Sequence, residues 1–203
     1  MNVQSFSGPL AEDMSVVDRI EFVKGPTGFM LANGDPAGFY NVVTKKPTGV
    51  IRGEATLSLG SFYLYRAALD LDGKLNSSGK LLYRFNIMGQ LKNSHIRYDF
   101  NNRLTVAPVL AYHFNENTSL TVEYTYQSMS MAMIGAANVF SPKKYGELPK
   151  NFSTLEPNLA PTTIKDQSIF VTGKHRINDQ WKFTAQLAYL NYNQTGSSMW
   201  LSD

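Results

Sequence analysis

Seven segments after residue 50 alternate apolar and polar side chains with a period of two, the pattern of β-strands whose two faces meet different surroundings. The clearest is Thr118–Gln127, where Leu120, Val122, Tyr124 and Tyr126 alternate with polar residues. Each segment has about ten residues, the length with which a tilted strand crosses a membrane. The predicted strands are Arg52–Gly60, Leu64–Asp72, Leu81–Leu91, Arg103–Phe114, Thr118–Gln127, Ser168–Ile177 and Trp181–Tyr192.

The connections between these segments are short on one side and long on the other. Residues 73–79, 115–117 and 178–180 are short polar links, whereas 93–102 and 129–165 are longer. Short turns at one rim and long loops at the other are typical of outer-membrane β-barrels. The pattern therefore favours a transmembrane antiparallel β-barrel. A soluble β-sandwich, which also alternates, is the alternative. The alternation is weakest in the sixth segment, where Phe170 falls among the polar positions.

Seven strands do not make a complete barrel. Single-chain bacterial barrels normally have an even number of strands. A sheet with free edges cannot lie in a bilayer, because its edge N–H and C=O groups would lack partners. We therefore expect a mainly β fold that holds about seven strands of a larger barrel, and we interpret the chain as a fragment.

Composition agrees with a β-rich protein that shows one face to lipid. Charged residues make up 17% of the chain, below the roughly 25% usual for soluble domains, and aromatic residues make up 12%. The net charge of +3 is too small to indicate nucleic-acid binding. No apolar run reaches the length of a transmembrane helix, and the first residues do not resemble a signal peptide.

The sequence shows no pattern of a catalytic or metal site. It has no cysteine, so disulfides and thiolate ligands are excluded. His95, His113 and His175 lie on separate segments without ligand spacing. Residues 25–38 are rich in glycine but lack the Gly-Lys-Ser/Thr ending of a phosphate loop. We predict that the protein is not an enzyme and needs no metal or cofactor.

Two segments before residue 50 carry the most specific signal. Residues 17–26 have the sequence VDRIEFVKGP, and residues 33–47 have the sequence NGDPAGFYNVVTKKP. Short strands are predicted at Ile20–Val23 and Phe39–Thr44, with a Gly/Pro-rich turn between them and a hinge over residues 45–49. These segments resemble the C-terminal half of the plug domain of TonB-dependent outer-membrane receptors. Residues 59–70 also resemble the first barrel hairpin of that family.

The resemblance implies a division of the chain at residue 50. Residues 1–50 would be the C-terminal part of the plug and residues 51–203 the N-terminal part of the barrel. The resemblance further implies that charged plug residues meet charged residues of the barrel's inner wall, for which Glu54, Arg66, Asp70 and Arg84 are candidates, although ordinary solvated wall charges are the alternative. The predicted plug motif and plug–barrel contact residues are Arg19, Glu21, Gly25, Pro26, Gly34, Gly38, Asn41 and Lys45.

The resemblance implies uptake of a ferric siderophore in the outer membrane of a Gram-negative bacterium, driven by the TonB–ExbB–ExbD complex through an N-terminal part that this chain lacks. Residues 39–47 look closer to the siderophore branch, while cobalamin or glycan import and a structural or adhesive role are the alternatives. Lipid of the outer membrane is the other expected partner. The candidate ligand contacts are Phe6 and Ser7, at the position of a plug apex, and Phe140 and Tyr145 in the longest loop.

Overall fold

The computed structural model describes residues 13–24, 38–132, 143–144, 146–155 and 157–197. This part of the chain consists of strands and their connections, and it contains no helix that could span a membrane. In chain order the strands are β1 (Val17–Lys24), β2 (Gly38–Thr44), β3 (Arg52–Gly60), β4 (Leu64–Lys74), β5 (Leu81–Leu91), β6 (Asn101–His113), β7 (Thr118–Met131), β8 (Thr162–Arg176) and β9 (Lys182–Thr195).

Strands β3 to β9 form one antiparallel sheet in which each strand pairs with the next along the chain. The sheet is open, with β3 and β9 at its two edges. This arrangement confirms the predicted part of a larger barrel. Strand existence is confirmed for all seven predicted segments, and the bounds of β3 and β5 agree with the sequence pattern to the residue.

The first two strands form a separate antiparallel pair, with Phe22 opposite Tyr40. This pair, called the plug sheet here, lies against one face of the large sheet. Val16, Val17 and Val42 pack on Ala107 of β6. We call the covered face of the large sheet the inward face and the other the outward face.

The inward face carries more polar side chains than the outward face. On β5, Arg84, Asn86 and Met88 are buried on the inward face, and the apolar residues between them point outward. Phe170 is also buried on the inward face, which explains why the alternation of its segment is weak. At Phe170, the polarity of the side chain therefore does not show on which face of the sheet it lies.

Strand β8 begins at Thr162, so the predicted start at Ser168 is wrong by six residues. The pairing of β7 with β8 continues to Met131 and Thr162, where Met129, Met131 and Ile164 place apolar side chains on the inward face and the outward positions are polar. A hydrogen-bonded ladder needs no alternation of side chains, and the sequence pattern therefore ended before the strand did.

The two rims of the sheet differ as predicted. Connections 75–80, 114–117 and 177–181 are short and lie at the rim where the hinge, residues 45–51, enters the sheet. We call this the hinge rim. The opposite rim, the loop rim, holds the turn 61–63 and the loops 92–100 and 132–161.

Candidate functional site

The hinge is fixed to the inward face by ion pairs centred on Asp70 of β4. The Lys45 ammonium lies 2.9 Å from Asp70 Oδ2. Arg84 of β5 binds the same carboxylate twice, through Nη2 at 2.7 Å and Nε at 2.9 Å. Its remaining Nη1 donates to the backbone carbonyl of Lys46 at 3.1 Å. One arginine therefore joins the wall carboxylate to the hinge backbone.

A second carboxylate two residues further along β4 binds the next part of the hinge. The side chain of Asp72 is fully buried. It accepts hydrogen bonds from the Thr48 amide at 3.0 Å and from the Thr48 hydroxyl at 2.6 Å. Arg52 Nε lies 3.5 Å from the same carboxylate. A buried charge is stable only when it is paired and hydrogen-bonded, as Asp72 is here.

The third contact reaches across the sheet to β7. Glu123, which is buried, forms an ion pair with Lys46. The hydroxyl of Thr44 donates to Glu123 Oε2 at 3.0 Å. The two consecutive lysines of the hinge therefore bind different strands, because Lys45 contacts β4 and Lys46 contacts β7.

The segment before β1 is held by a partly buried bidentate pair. Arg66 Nη1 and Nη2 donate to the two oxygens of Asp13 at 2.8 and 2.7 Å. The amide of Ser15 donates to Asp13 Oδ1 at 2.8 Å. Burial raises the pKa of Asp13, but the hydrogen bonds from Arg66 and Ser15 outweigh it, so the pKa lies below 3.8. With its amide nitrogen turned toward them, Asn86 donates to Ser15 O and Asp70 Oδ1.

The structure places the predicted plug residues in two groups. Arg19, which is exposed, pairs at 2.8 Å with the half-buried Glu21, and Asn41 donates to Glu21 at 2.9 Å. The hydrogen bond from Asn41, followed by that from Arg19, lowers the pKa of Glu21. These residues join β1 to β2. Among the same predicted residues, Lys45 contacts Asp70 on the inward face of β4. Gly38 is the first residue of β2 and pairs with Lys24.

Seven predicted site residues lie outside the described residues: Phe6, Ser7, Gly25, Pro26, Gly34, Phe140 and Tyr145. Of the four candidate wall charges, Arg66, Asp70 and Arg84 meet the N-terminal segment, and Glu54 is exposed on β3. Sequence reasoning missed nine contact residues, namely Asp13, Ser15, Thr44, Lys46, Thr48, Arg52, Asp72, Asn86 and Glu123. Asp72 and Glu123 had a usable signal, since both occupy the polar positions of alternating strands.

A cavity of about 610 Å³ opens at the loop-rim end of the inward face. Gln90 and Arg103 continue the inward rows of β5 and β6 into its wall. Gln90 lies six residues beyond Arg84 on β5, so the cavity is roughly 20 Å from the hinge contacts. The loop 92–100 covers it, together with Met131 and Leu155.

The turn 61–63 supports this cavity in an unusual backbone conformation. Phe62 and Tyr63 have φ angles of 60° and 56°, which side-chain-bearing residues rarely adopt. The carbonyl of Phe62 accepts a hydrogen bond from the Asn93 amide at 2.9 Å, and its ring centroid lies 6.2 Å from that of His95. The turn is therefore joined to the loop 92–100 by both backbone and side chain.

The cavity lining combines rings, amides and charges. Lys92 and Arg103 supply two cations and Asp99 one anion, while Phe62 and Phe100 supply aromatic surface. A lining with a few polar groups on an apolar wall is typical of small-molecule sites. The arrangement suits an amphipathic ligand that carries negative charge. Among the described residues, no group of three or more His, Asp or Glu side chains could hold a metal ion by itself.

A comparison with models of known protein families finds no match. Among curated proteins, the chain is 32% identical over 171 residues to the metal-pseudopaline receptor CntO of Pseudomonas aeruginosa strain UCBPP-PA14, which covers 84% of this chain and 24% of that receptor. It is 33% identical over 126 residues to the ferripyoverdine receptor of Pseudomonas aeruginosa strain PAO1, covering 62% of this chain and 16% of the receptor.

The fold is shared with solved structures. Pseudomonas aeruginosa FpvA bound to heterologous pyoverdines superposes with a TM-score of 0.78 at 24% identity, covering 94% of this chain and 26% of FpvA. The chain spans about a quarter of the length of the metal-pseudopaline receptor. Both curated relatives are named as receptors. With its plug sheet bound to the inward face of an open, sequentially paired sheet, the chain belongs to the TonB-dependent outer-membrane receptors.

Proposed function

We propose that the protein imports a ferric siderophore across the outer membrane, with residues 1–50 as the end of its plug and residues 51–203 as the start of its barrel. The observation that carries this proposal is the loop-rim cavity. It lies on the inward face, at the rim with the long loops, and it combines two cations with aromatic surface. The relative named as a ferripyoverdine receptor supports the same ligand class.

The hinge contacts support a plug whose end stays fixed to the barrel strands while a ligand binds at the loop rim. Ion pairs and hydrogen bonds join residues 44–48 to β4, β5 and β7. The TonB–ExbB–ExbD complex is the proposed source of energy, and the family name supports the TonB part of this proposal. Phe6 and Ser7 on the plug, and Phe140 and Tyr145 in the loop 132–161, remain the predicted further ligand contacts.

Uptake by cells tests the transport proposal. Cells with this receptor as their only route for the chelate should accumulate 55Fe from ferripyoverdine or another ferric siderophore, and cells that also lack TonB should not. Accumulation that is equal with and without TonB would contradict the proposal. So would the absence of uptake for every ferric siderophore offered.

A charge substitution tests the cavity as the binding site. Arg103→Ala should weaken binding of an anionic ferric siderophore to the purified receptor by roughly tenfold, or about 1.4 kcal/mol. Arg176→Ala is the matched control, since Arg176 lies at the hinge rim and binds Asn117. Quenching of tyrosine and tryptophan fluorescence gives the affinities. Equal affinities for the two variants would place the ligand elsewhere.

A second candidate function is import of a chelate of a metal other than iron. The relative that is 32% identical over most of this chain is named a metal-pseudopaline receptor, without mention of iron. Offering the same cells one chelator loaded with Fe³⁺ or with a divalent metal separates the candidates. Uptake of the divalent complex alone would replace the ferric proposal.

A further inference from the structure

The outward face of the large sheet contains a hollow where two small residues lie side by side. Ala67 of β4 pairs with Gly89 of β5, and a Cβ atom built at Gly89 would meet no atom within 4 Å. Glycine weakens a strand interior because it offers no side chain to pack, so it often marks a place where another molecule approaches closely. The hollow has a volume of about 500 Å³.

Large apolar side chains border this hollow on the same face. Leu57 lies opposite Ala67 on β3, Leu59 lies opposite Tyr65, and Leu91 follows Gly89 on β5. Leu57, Leu59 and Leu91 are each more than half exposed. The apolar rim thus stands above a floor of two small residues, which makes a trough instead of the even surface that neighbouring leucines would give.

The polar residues next to the hollow belong to the inward face. Arg66 and Gln90 alternate with the outward residues, and Arg66 binds Asp13 there at 2.7 Å. The Gln90 amide lies near the carbonyl of Asn101, with 3.4 Å between donor and acceptor. Arg103 Nε donates to Asn101 Oδ1 at 2.7 Å. Arg66, Gln90 and Arg103 also line the hollow, but their polar groups have hydrogen-bond partners on the inward face, so the surface that the hollow presents outward is mainly apolar and suits an apolar occupant.

We propose that this hollow binds one acyl chain of an outer-leaflet glycolipid. The outward face of a membrane barrel meets lipid, and the hollow is continuous with that face. Neighbouring strands lie about 4.8 Å apart, so a trough two strands wide accommodates a single chain lying along it. The proposal needs only the outer-membrane location of the family and stands apart from the identity of the imported ligand.

The position along the strands selects the leaflet. Leu59, Tyr65 and Leu91 are among the last strand residues before the loop rim. Long loops mark the extracellular rim in outer-membrane barrels, and aromatic residues mark the interface. Tyr65, about half exposed, meets this description at the upper end of the hollow. The head group of the bound lipid then lies at the extracellular interface.

A pair of glycine substitutions tests the proposal. Gly89→Leu fills the hollow, and Gly173→Leu adds the same side chain at a glycine of β8 that also has no atom within 4 Å. Neither glycine has a positive φ, so both variants are expected to fold. Receptors purified from native outer membranes in mild detergent are compared by native mass spectrometry, which weighs any retained lipid.

The wild-type receptor and the Gly173→Leu variant should each retain one glycolipid. The Gly89→Leu variant should retain roughly tenfold less, because the leucine displaces the chain atoms whose many small contacts hold the lipid. Equal retention in all three proteins overturns the proposal, and so does a wild-type receptor that retains no lipid. A retained lipid with the mass of a phospholipid overturns the assignment to the outer-leaflet glycolipid.

Discussion

Asp70 holds Lys45 and Arg84 together, and its replacement by asparagine should release the hinge. The substitution keeps the size of the side chain and removes its charge. Arg84 is then a nearly buried cation, 6% exposed, whose nearest remaining anion is Asp72 at 3.9 Å. Removing one partner of a buried ion pair typically costs about 3–5 kcal/mol. Asp72 and the carbonyl of Lys46 compensate part of this loss, so we expect about 2–3 kcal/mol for hinge release.

Amide hydrogen exchange measures this free energy directly. The Thr48 amide donates to Asp72, and the Lys45 amide donates to Val16 O at 2.9 Å, so both exchange only when the hinge opens. A cost of about 2–3 kcal/mol corresponds to roughly 30- to 150-fold faster exchange in Asp70→Asn. Asp179→Asn, in the exposed turn 177–181, is the control and should leave these rates unchanged.

The result that refutes this reasoning is a change of less than about threefold in the exchange of both amides. Such a result would mean that solvent reaches the Arg84 guanidinium and that the pair behaves like a surface ion pair, which contributes about 0–1 kcal/mol. Faster exchange throughout the barrel strands would instead indicate global destabilisation, and the hinge would have no special dependence on Asp70.

Two further predictions concern the segment before β1 and the loop rim. The pKa of Asp13 is depressed, so its pair with Arg66 contributes stability that is present above the unfolded pKa near 3.8 and is lost as the pH falls through the lower folded value; exchange of the Val16 amide should therefore accelerate below about pH 4, and Arg66→Gln should abolish that change. Tyr63→Gly should stabilise the receptor by about 1 kcal/mol, because Tyr63 is 70% exposed and has a φ of 56°; a lower thermal midpoint would show that its ring makes an essential contact.

The sequence predicted the strands well because each segment meets two different surroundings. The alternation of Leu81–Leu91 follows directly from a polar inward face and an apolar outward face. The same rule fails at Phe170, where an apolar side chain is buried on the inward face. It also fails at Thr162–Gln167, where β8 buries the apolar Ile164 on the inward face and carries polar residues on the outward face. Alternation detects a contrast between faces and not the strand itself.

The hinge contacts were only partly predictable. The family resemblance pointed to Lys45, and the polar positions of β4 and β5 pointed to Asp70 and Arg84. The partner of each charge depends on the register between strands far apart in sequence. Glu123 lies 79 residues from Thr44, and no local pattern joins them. The loop-rim cavity was not predicted either, because the fold brings Phe62, the loop 92–100 and Leu155 together.

The sequential pairing of the large sheet sets an order in which the plug can be locked during chain assembly. The separations of the hinge contacts increase from 24 residues for Thr48–Asp72 through 38 for Lys46–Arg84 to 79 for Thr44–Glu123. The loop-closure entropy of the longest contact exceeds that of the shortest by only about 1 kcal/mol. The contact with Glu123 therefore forms last because Glu123 is not in place until β7 has paired, and not because its loop is longer. The anchors of the hinge therefore become available in the order β4, β5 and β7.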